Sequence, residues 1–424
     1  MGTIKFALKL LKLEYKKSLF YTLSLMISSA IIFLFYNYMD NIHIGNSMGD
    51  GTTFTSILAL VIMMIAAATA CFANSFFLSK KTGEIAICTM SDAGVGGVTL
   101  YLVIQNFTII LIAMPIGLLI GYLCNPLLNA ILYQSLGVHA NIWYVSLEAL
   151  VMAIVSLLAQ IAALTISNAG FAYRHDILTL LNLNNRMNAL PPITAIRMPI
   201  IVYWIVTFIP IYVFFKIPSD PINYIYITML GLFGVSGLFK RGMPRLIKKI
   251  QRQFNIVKSK QLIAFGNFSL SLSKTSLLIQ IIILSILVMI CLIIDNLKKP
   301  QNLTITILSY GIIIFLMSVS ILYKVILENS NNVILYQSLY KLGYIKNDLK
   351  KIMKLEIILL YSTMLFFPTL YILPMVIRLM SNHVINLSHS IILILSYLIP
   401  IGLTGFIAYF NYKSTILKQL NGGE

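Results

Sequence analysis

Ser276-Leu-Leu-Ile-Gln280-Ile-Ile-Ile-Leu-Ser285-Ile-Leu-Val-Met-Ile290-Cys-Leu-Ile-Ile294 runs for 19 residues without a charged side chain. A soluble helix confines its apolar residues to one stripe, but here isoleucine, leucine, valine and methionine occupy every face. About 20 such residues cover the roughly 30 Å hydrocarbon core of a bilayer, where backbone polar groups must be satisfied internally. The stretch therefore predicts a transmembrane helix.

Working outward from it, comparable runs occur at 19–39, 55–78, 100–123, 146–168, 198–215, 223–239, 304–325, 356–377 and 390–410, making ten in all. Of the 424 residues 59% are hydrophobic and only 10% charged, too little polar surface to cover a water-soluble domain. The expected fold class is all-α: a polytopic membrane protein of about ten transmembrane helices. No small-residue cleavage site follows the first run, so it is read as a span and not as a removed signal peptide. Cys71, Cys88, Cys124 and Cys291 show no metal-binding spacing and read as small core residues.

The formal charge of +18 is distributed in short clusters between the runs, which reads as topology and not as a nucleic-acid surface. With both termini cytoplasmic, 27 of the 31 Lys and Arg fall on inner segments, leaving Lys216, Lys298, Lys299 and Arg378 outside. Two inner segments are amphipathic at helical spacing. Lys5, Lys9, Lys12 and Lys16 oppose Ile4, Leu8, Leu11 and Tyr15; Met243, Ile247, Ile250, Phe254 and Val257 oppose Arg241, Arg245, Lys248, Lys249 and Arg252. Both are expected on the membrane surface, with lipid as a partner.

The chain also repeats itself. A basic start, a span, a second span, a charged segment with a glycine and two further spans make up residues 1–175, and the same order recurs over 241–424. Residues 176–240 hold a central span pair. Lys80-Lys81-Thr-Gly-Glu84-Ile85 precedes Gly94 in the first half, where Gly94 is expected to end the short helix in a left-handed cap, and Glu328-Asn-Ser-Asn-Asn precedes Leu342-Gly343-Tyr344 in the second. A polar residue then opens each third span, Gln105 and Glu356, and a proline follows, Pro115 and Pro368.

No phosphate loop of the Gly-x-x-x-x-Gly-Lys-Ser/Thr type occurs, so ATP-driven work would need another polypeptide, and no catalytic, cofactor-binding or metal-binding residues are assigned. Ionisable residues are expected only near span ends: Glu148, Asp295, Lys324 and Glu356 are placed where they reach water or headgroups. Gly117 and Gly121 form a GxxxG expected to bring helices close, and Tyr133, Trp143 and Tyr144 in the longest outer loop read as an interfacial belt.

The stretch Phe76-Phe77-Leu78-Ser-Lys80-Lys81-Thr-Gly-Glu84-Ile85-Ala86, with Gly94 downstream, resembles the cytoplasmic element after the second span of FtsX-like ABC transporter permeases. The layout of four spans, two and four more resembles the bacitracin-export type of that family. Two features depart from it. Only Asp295 to Asn302 stand where that type has a large extracellular domain, and the second repeat has Asn329-Ser-Asn-Asn in place of the basic pair and Glu-Ile step.

The resemblance implies two four-helix repeats plus a central pair in a bacterial cytoplasmic membrane, with both termini cytoplasmic. It implies an ABC ATPase partner holding ATP and magnesium, with two ATPases per chain, a sensor kinase as a further partner, and an amphipathic peptide or lipid-linked cargo. It further implies that Lys80, Lys81, Glu84, Ile85, Gly94, Leu342, Gly343 and Tyr344 couple to the ATPase. Lys80 and Lys81 read equally well as plain anchors. Two other readings stand beside this one: a non-transporting signal transmitter of the FtsX kind, and an ion-coupled secondary carrier, which the lack of mid-span charge disfavours.

Overall fold

The computed structural model describes residues 3–13, 15–43, 51–90, 94–174, 199–216, 221–253, 259–297 and 299–421. Among these there is no strand. The helices are α1 (Thr3–Leu13), α2 (Tyr15–Met39), α3 (Gly51–Lys80), α4 (Thr82–Met90), α5 (Val95–Leu136), α6 (Leu147–Arg174), α7 (Ile200–Phe214) and α8 (Pro221–Gly237). A π-helical turn, Leu238–Gly242, leads into α9 (Met243–Gln253), followed by α10 (Ser259–Asp295), α11 (Pro300–Lys341), α12 (Lys346–Ser381) and α13 (Leu387–Asn421). Among the described residues eight helices are long and apolar enough to cross a membrane, which is the construction of a membrane protein. Helices α7 and α8 occupy the fifth and sixth expected runs with 15 and 17 residues, short of a full span.

Helices α5 and α11 each run for 42 residues. At 1.5 Å per residue that is roughly 63 Å, about twice the hydrocarbon thickness, so both continue well past the apolar runs that announced them. Pro115 and Pro126 lie within α5, Pro368 and Pro374 within α12, and none of them ends its helix.

The chain divides into two compact units, 1–190 with 298–309 and 191–297 with 310–424. In the first, α2 packs on α3, α5 and α6. The GxxxG seats α5 on α2 as expected: a Cβ at Gly117 would stand 1.8 Å from Ser29 Oγ and 2.5 Å from the Met26 carbonyl, and one at Gly121 2.8 Å from the Phe33 ring. No side chain fits at Gly117 without moving one backbone off the other.

At the far end of this unit asparagines hold a loop in place. Asn37 donates to Asn125 Oδ1 at 2.8 Å, and Asn125 and Asn129 donate to the Tyr144 and Ile142 carbonyls, each at 2.9 Å. Ser146 donates to Asp40. The loop expected to be the longest outer one is shorter than the hydropathy pattern predicts, because α5 runs on to Leu136 and ends at Gly137 (φ 66°). Within the expected belt Trp143 is half-exposed, but Tyr133 is buried and its hydroxyl accepts from Asn41 at 2.9 Å, so Tyr133 serves packing.

In the second unit α10 packs on α12 and α8, α12 on α13, and α7 on α8 and α12. Gln280 donates to the Leu232 carbonyl at 2.6 Å and Tyr371 to the Thr207 carbonyl at 3.0 Å, so the helix pair α7–α8 is bonded to this unit. The apolar edge of α9 turns inward at Ile247, which is buried; Phe254 and Val257 of the expected stripe lie outside the described residues.

Candidate functional site

Each unit builds a buried polar cluster around a Lys–Glu pair, at the connection between the second and third helices in the first repeat and within the helices themselves in the second. In the first unit the connection is α4. Its inward face, Ile85 and Cys88, enters a core made by Ala7, Leu78, Val98, Tyr101, Leu102 and Ala172, contributed by α1, α3, α5 and α6. Lys81 Nζ lies 2.6 Å from Glu84 Oε1, with the lysine only 1% exposed. The Tyr101 hydroxyl donates to the other carboxylate oxygen. Gln105 Nε2 donates to Tyr101 at 2.8 Å and to the Ala7 carbonyl at 3.2 Å. The chain of bonds thus ties the N-terminal helix α1, the connecting helix α4 and the long apolar helix α5 into one body. Burial pushes the Cys88 thiol above its ordinary pKa and the charge of Glu84 pushes it further, so Cys88 is an inert packing residue.

This geometry reassigns part of the expected coupling surface. Lys81 and Ile85 are buried, and Glu84 is engaged by Lys81 and Tyr101, so these three hold α4 against its own unit instead of projecting from it. The side chain of Lys80 and residues Ser91, Asp92 and Ala93 lie outside the described residues.

In the second unit the cluster draws on all four helices of the repeat. Lys324 Nζ is 2.6 Å from Glu328 Oε2 one turn along α11, and the Ser271 hydroxyl of α10 bridges them, donating to Glu328 at 2.9 Å and accepting from Lys324 at 2.5 Å. Beside this pair Asn267 of α10 donates to Glu356 Oε1 of α12, and Tyr412 of α13 donates to Glu356 Oε2 at 2.9 Å. Asn332 of α11 donates to Tyr412 at 3.0 Å. Between the two carboxylates lies a cavity of about 30 Å³.

The expectation that Lys324 and Glu356 reach water is overturned. Lys324 is 0% and Glu356 8% exposed. The long helices explain it: α11 continues 17 residues beyond Lys324 and α12 begins ten before Glu356, so neither stands at a helix end. Buried ions of this kind survive only when paired and hydrogen-bonded, and the Ser271, Asn267 and Tyr412 contacts provide that.

Matching elements of the two units thus carry matching chemistry. Gln105 and Glu356, the polar residues that open the third spans, both sit inside these clusters. Asn74 of α3 donates to Asn168 of α6 at 2.9 Å, and Asn332 of α11 bonds to Tyr412 of α13, so the second and fourth helices are joined in both. Comparison with protein-family models finds no match, and comparison with curated proteins finds none.

The two glycines behave differently. Gly94, expected to end a helix in the left-handed region, has φ −57° and ψ 171° and precedes α5, with nothing within 4 Å of an added Cβ. Gly343 does take the left-handed geometry, at φ 94°. There the Tyr344 N–H bonds to the Leu339 carbonyl at 3.2 Å and the Gly343 N–H to Tyr340 at 3.0 Å, a glycine-capped helix end. The turn exposes Leu342 and Ile345 and is braced by Lys260 Nζ on Asp348 at 2.5 Å. Gly343→Ala is expected to cost about 1–2 kcal/mol, and Gly94→Ala less than about 0.5 kcal/mol. Thermal unfolding of the two purified variants checks this; equal losses would show that Gly343 is not held left-handed.

Proposed function

We propose that this chain is the membrane subunit of an ABC exporter, built as ten spans in two FtsX-like repeats with α7 and α8 as a central pair. A separate ATPase drives it, and its cargo is an amphipathic peptide or lipid-linked compound. The observation that supports the reading most is the paired construction. Each repeat carries a charge-paired, hydrogen-bonded cluster, the first at the connection that, by the positive-inside pattern, faces the cytoplasm and the second within the helices that lead to it. Such a body transmits a push as a unit, and a rigid element with two packing positions is what ATP-driven closure of a partner would bias.

On this reading the partner-facing surface includes the exposed Leu342 and Ile345 beside Gly343, while Lys81, Glu84 and Ile85 give α4 its stiffness. A chain holding both repeats seats both halves of an ATPase dimer. Native mass spectrometry of the assembled complex is expected to give one copy of this chain with two ATPases; two copies of the chain would contradict it.

A second reading gains from one specific observation. Lys324 and Glu356 are buried within apolar helices, and ionisable groups so placed are the usual material of ion relays. An ion-coupled carrier would use the Glu356 cluster as its binding point. It predicts uptake driven by an imposed proton gradient without nucleotide, and lost in Glu356→Gln.

A further inference from the structure

A cleft of about 460 Å³ opens among α9, α10 and α11, inside the range of about 300–1,000 Å³ typical of small-ligand sites. Its lining combines polar and apolar side chains. Lys248 and Gln251 come from one face of α9, Asn267, Ser269 and Leu270 from α10, and Leu335 and Leu339 from α11. No carboxylate is among the lining residues, and α9 itself contains four cations and no acid. Leu270 is 45% exposed.

Gly266 forms part of the same lining, inside α10, where glycine weakens a helix relative to alanine. A Cβ there would meet nothing within 4 Å, so the close packing that explains Gly117 does not apply. What the missing side chain leaves is open volume in the cleft.

We propose that this cleft binds one anionic phospholipid from the surrounding leaflet, its phosphate on Lys248 and its acyl chain along Leu270, Leu335 and Leu339. A cation beside an apolar trough fits an amphiphile, because inorganic phosphate would leave the trough wet and an uncharged lipid would leave Lys248 unpaired. Net positive charge on α9 selects an anionic headgroup over a zwitterionic one. The inference is independent of whether an ATPase drives the chain.

The test uses the full chain in detergent, titrated in separate arms with dioleoyl phosphatidylglycerol, dioleoyl phosphatidylcholine, dioleoylglycerol and inorganic phosphate, with retained lipid read by native mass spectrometry. The wild type is expected to keep one phosphatidylglycerol, bound about fivefold more tightly than phosphatidylcholine. Gly266→Phe fills the trough and is expected to abolish retention, while Gly266→Ala retains the lipid. Lys248→Glu, on an exposed face, is expected to reverse the headgroup preference and keeps the test open if the phenylalanine variant misfolds. Unchanged retention by a folded Gly266→Phe overturns the proposal. So does an equal preference for the two phospholipids, or displacement of the lipid by inorganic phosphate alone.

Discussion

Lys324→Met is expected to lower stability by about 3–5 kcal/mol, because it leaves Glu328 without its buried partner. The lysine is 0% and the glutamate 17% exposed, so water replaces the lost ammonium only in part, and the charge of Lys274, which also acts on Glu328, moderates the loss. Ser271 would still donate to Glu328 at 2.9 Å, which reduces the loss without removing it. The double variant Lys324→Met/Glu328→Met removes both ions and is expected to recover most of the stability, since apolar replacements of a buried pair are often neutral. Unfolding in detergent, followed for wild type, both single variants and the double, gives the coupling. If the losses simply add, the two residues do not act as a buried pair.

Glu84→Lys should be nearly as severe, for a related reason. It places a second ammonium beside Lys81, which is 1% exposed, and removes the acceptor of Tyr101. The expected cost is on the order of 3 kcal/mol, concentrated on α4, which among its described side chains brings Ile85 and Cys88 to the surrounding core. Glu84→Gln keeps an acceptor oxygen for Tyr101 and is expected to be milder. Limited proteolysis reports release of α4, and the rate of the proposed partner ATPase reports coupling. Equal protection and equal ATPase rates in Glu84→Lys and the wild type would remove α4 from the mechanism.

Much of the architecture was legible because membrane helices announce themselves by apolarity alone. Residues 276–294 lie within α10, and the GxxxG of Gly117 and Gly121 meets α2 as the spacing implies. The left-handed turn was legible in kind but assigned to Gly94 when Gly343 is the residue that takes it. A local motif does not say which of two glycines follows a helix and which precedes one.

The buried clusters were hidden because hydropathy ends a span at its first charge. Lys324 marked such an end, yet α11 continues to Lys341 and buries the lysine on Ser271. The i, i+4 spacing of Lys324 and Glu328 was the available signal. Nothing local tells that Asn37, Asn125 and Asn129 bind a loop, because their partners are carbonyls far along the chain.

The most direct measurement is transport by the chain and the proposed ATPase in sealed vesicles, with ATP supplied in one arm and a proton gradient imposed in the other. Cargo movement that requires ATP, ignores the gradient and fails in Glu84→Lys is the predicted result. Movement driven by the gradient alone, and lost in Glu356→Gln, would contradict the exporter reading and establish the carrier in its place.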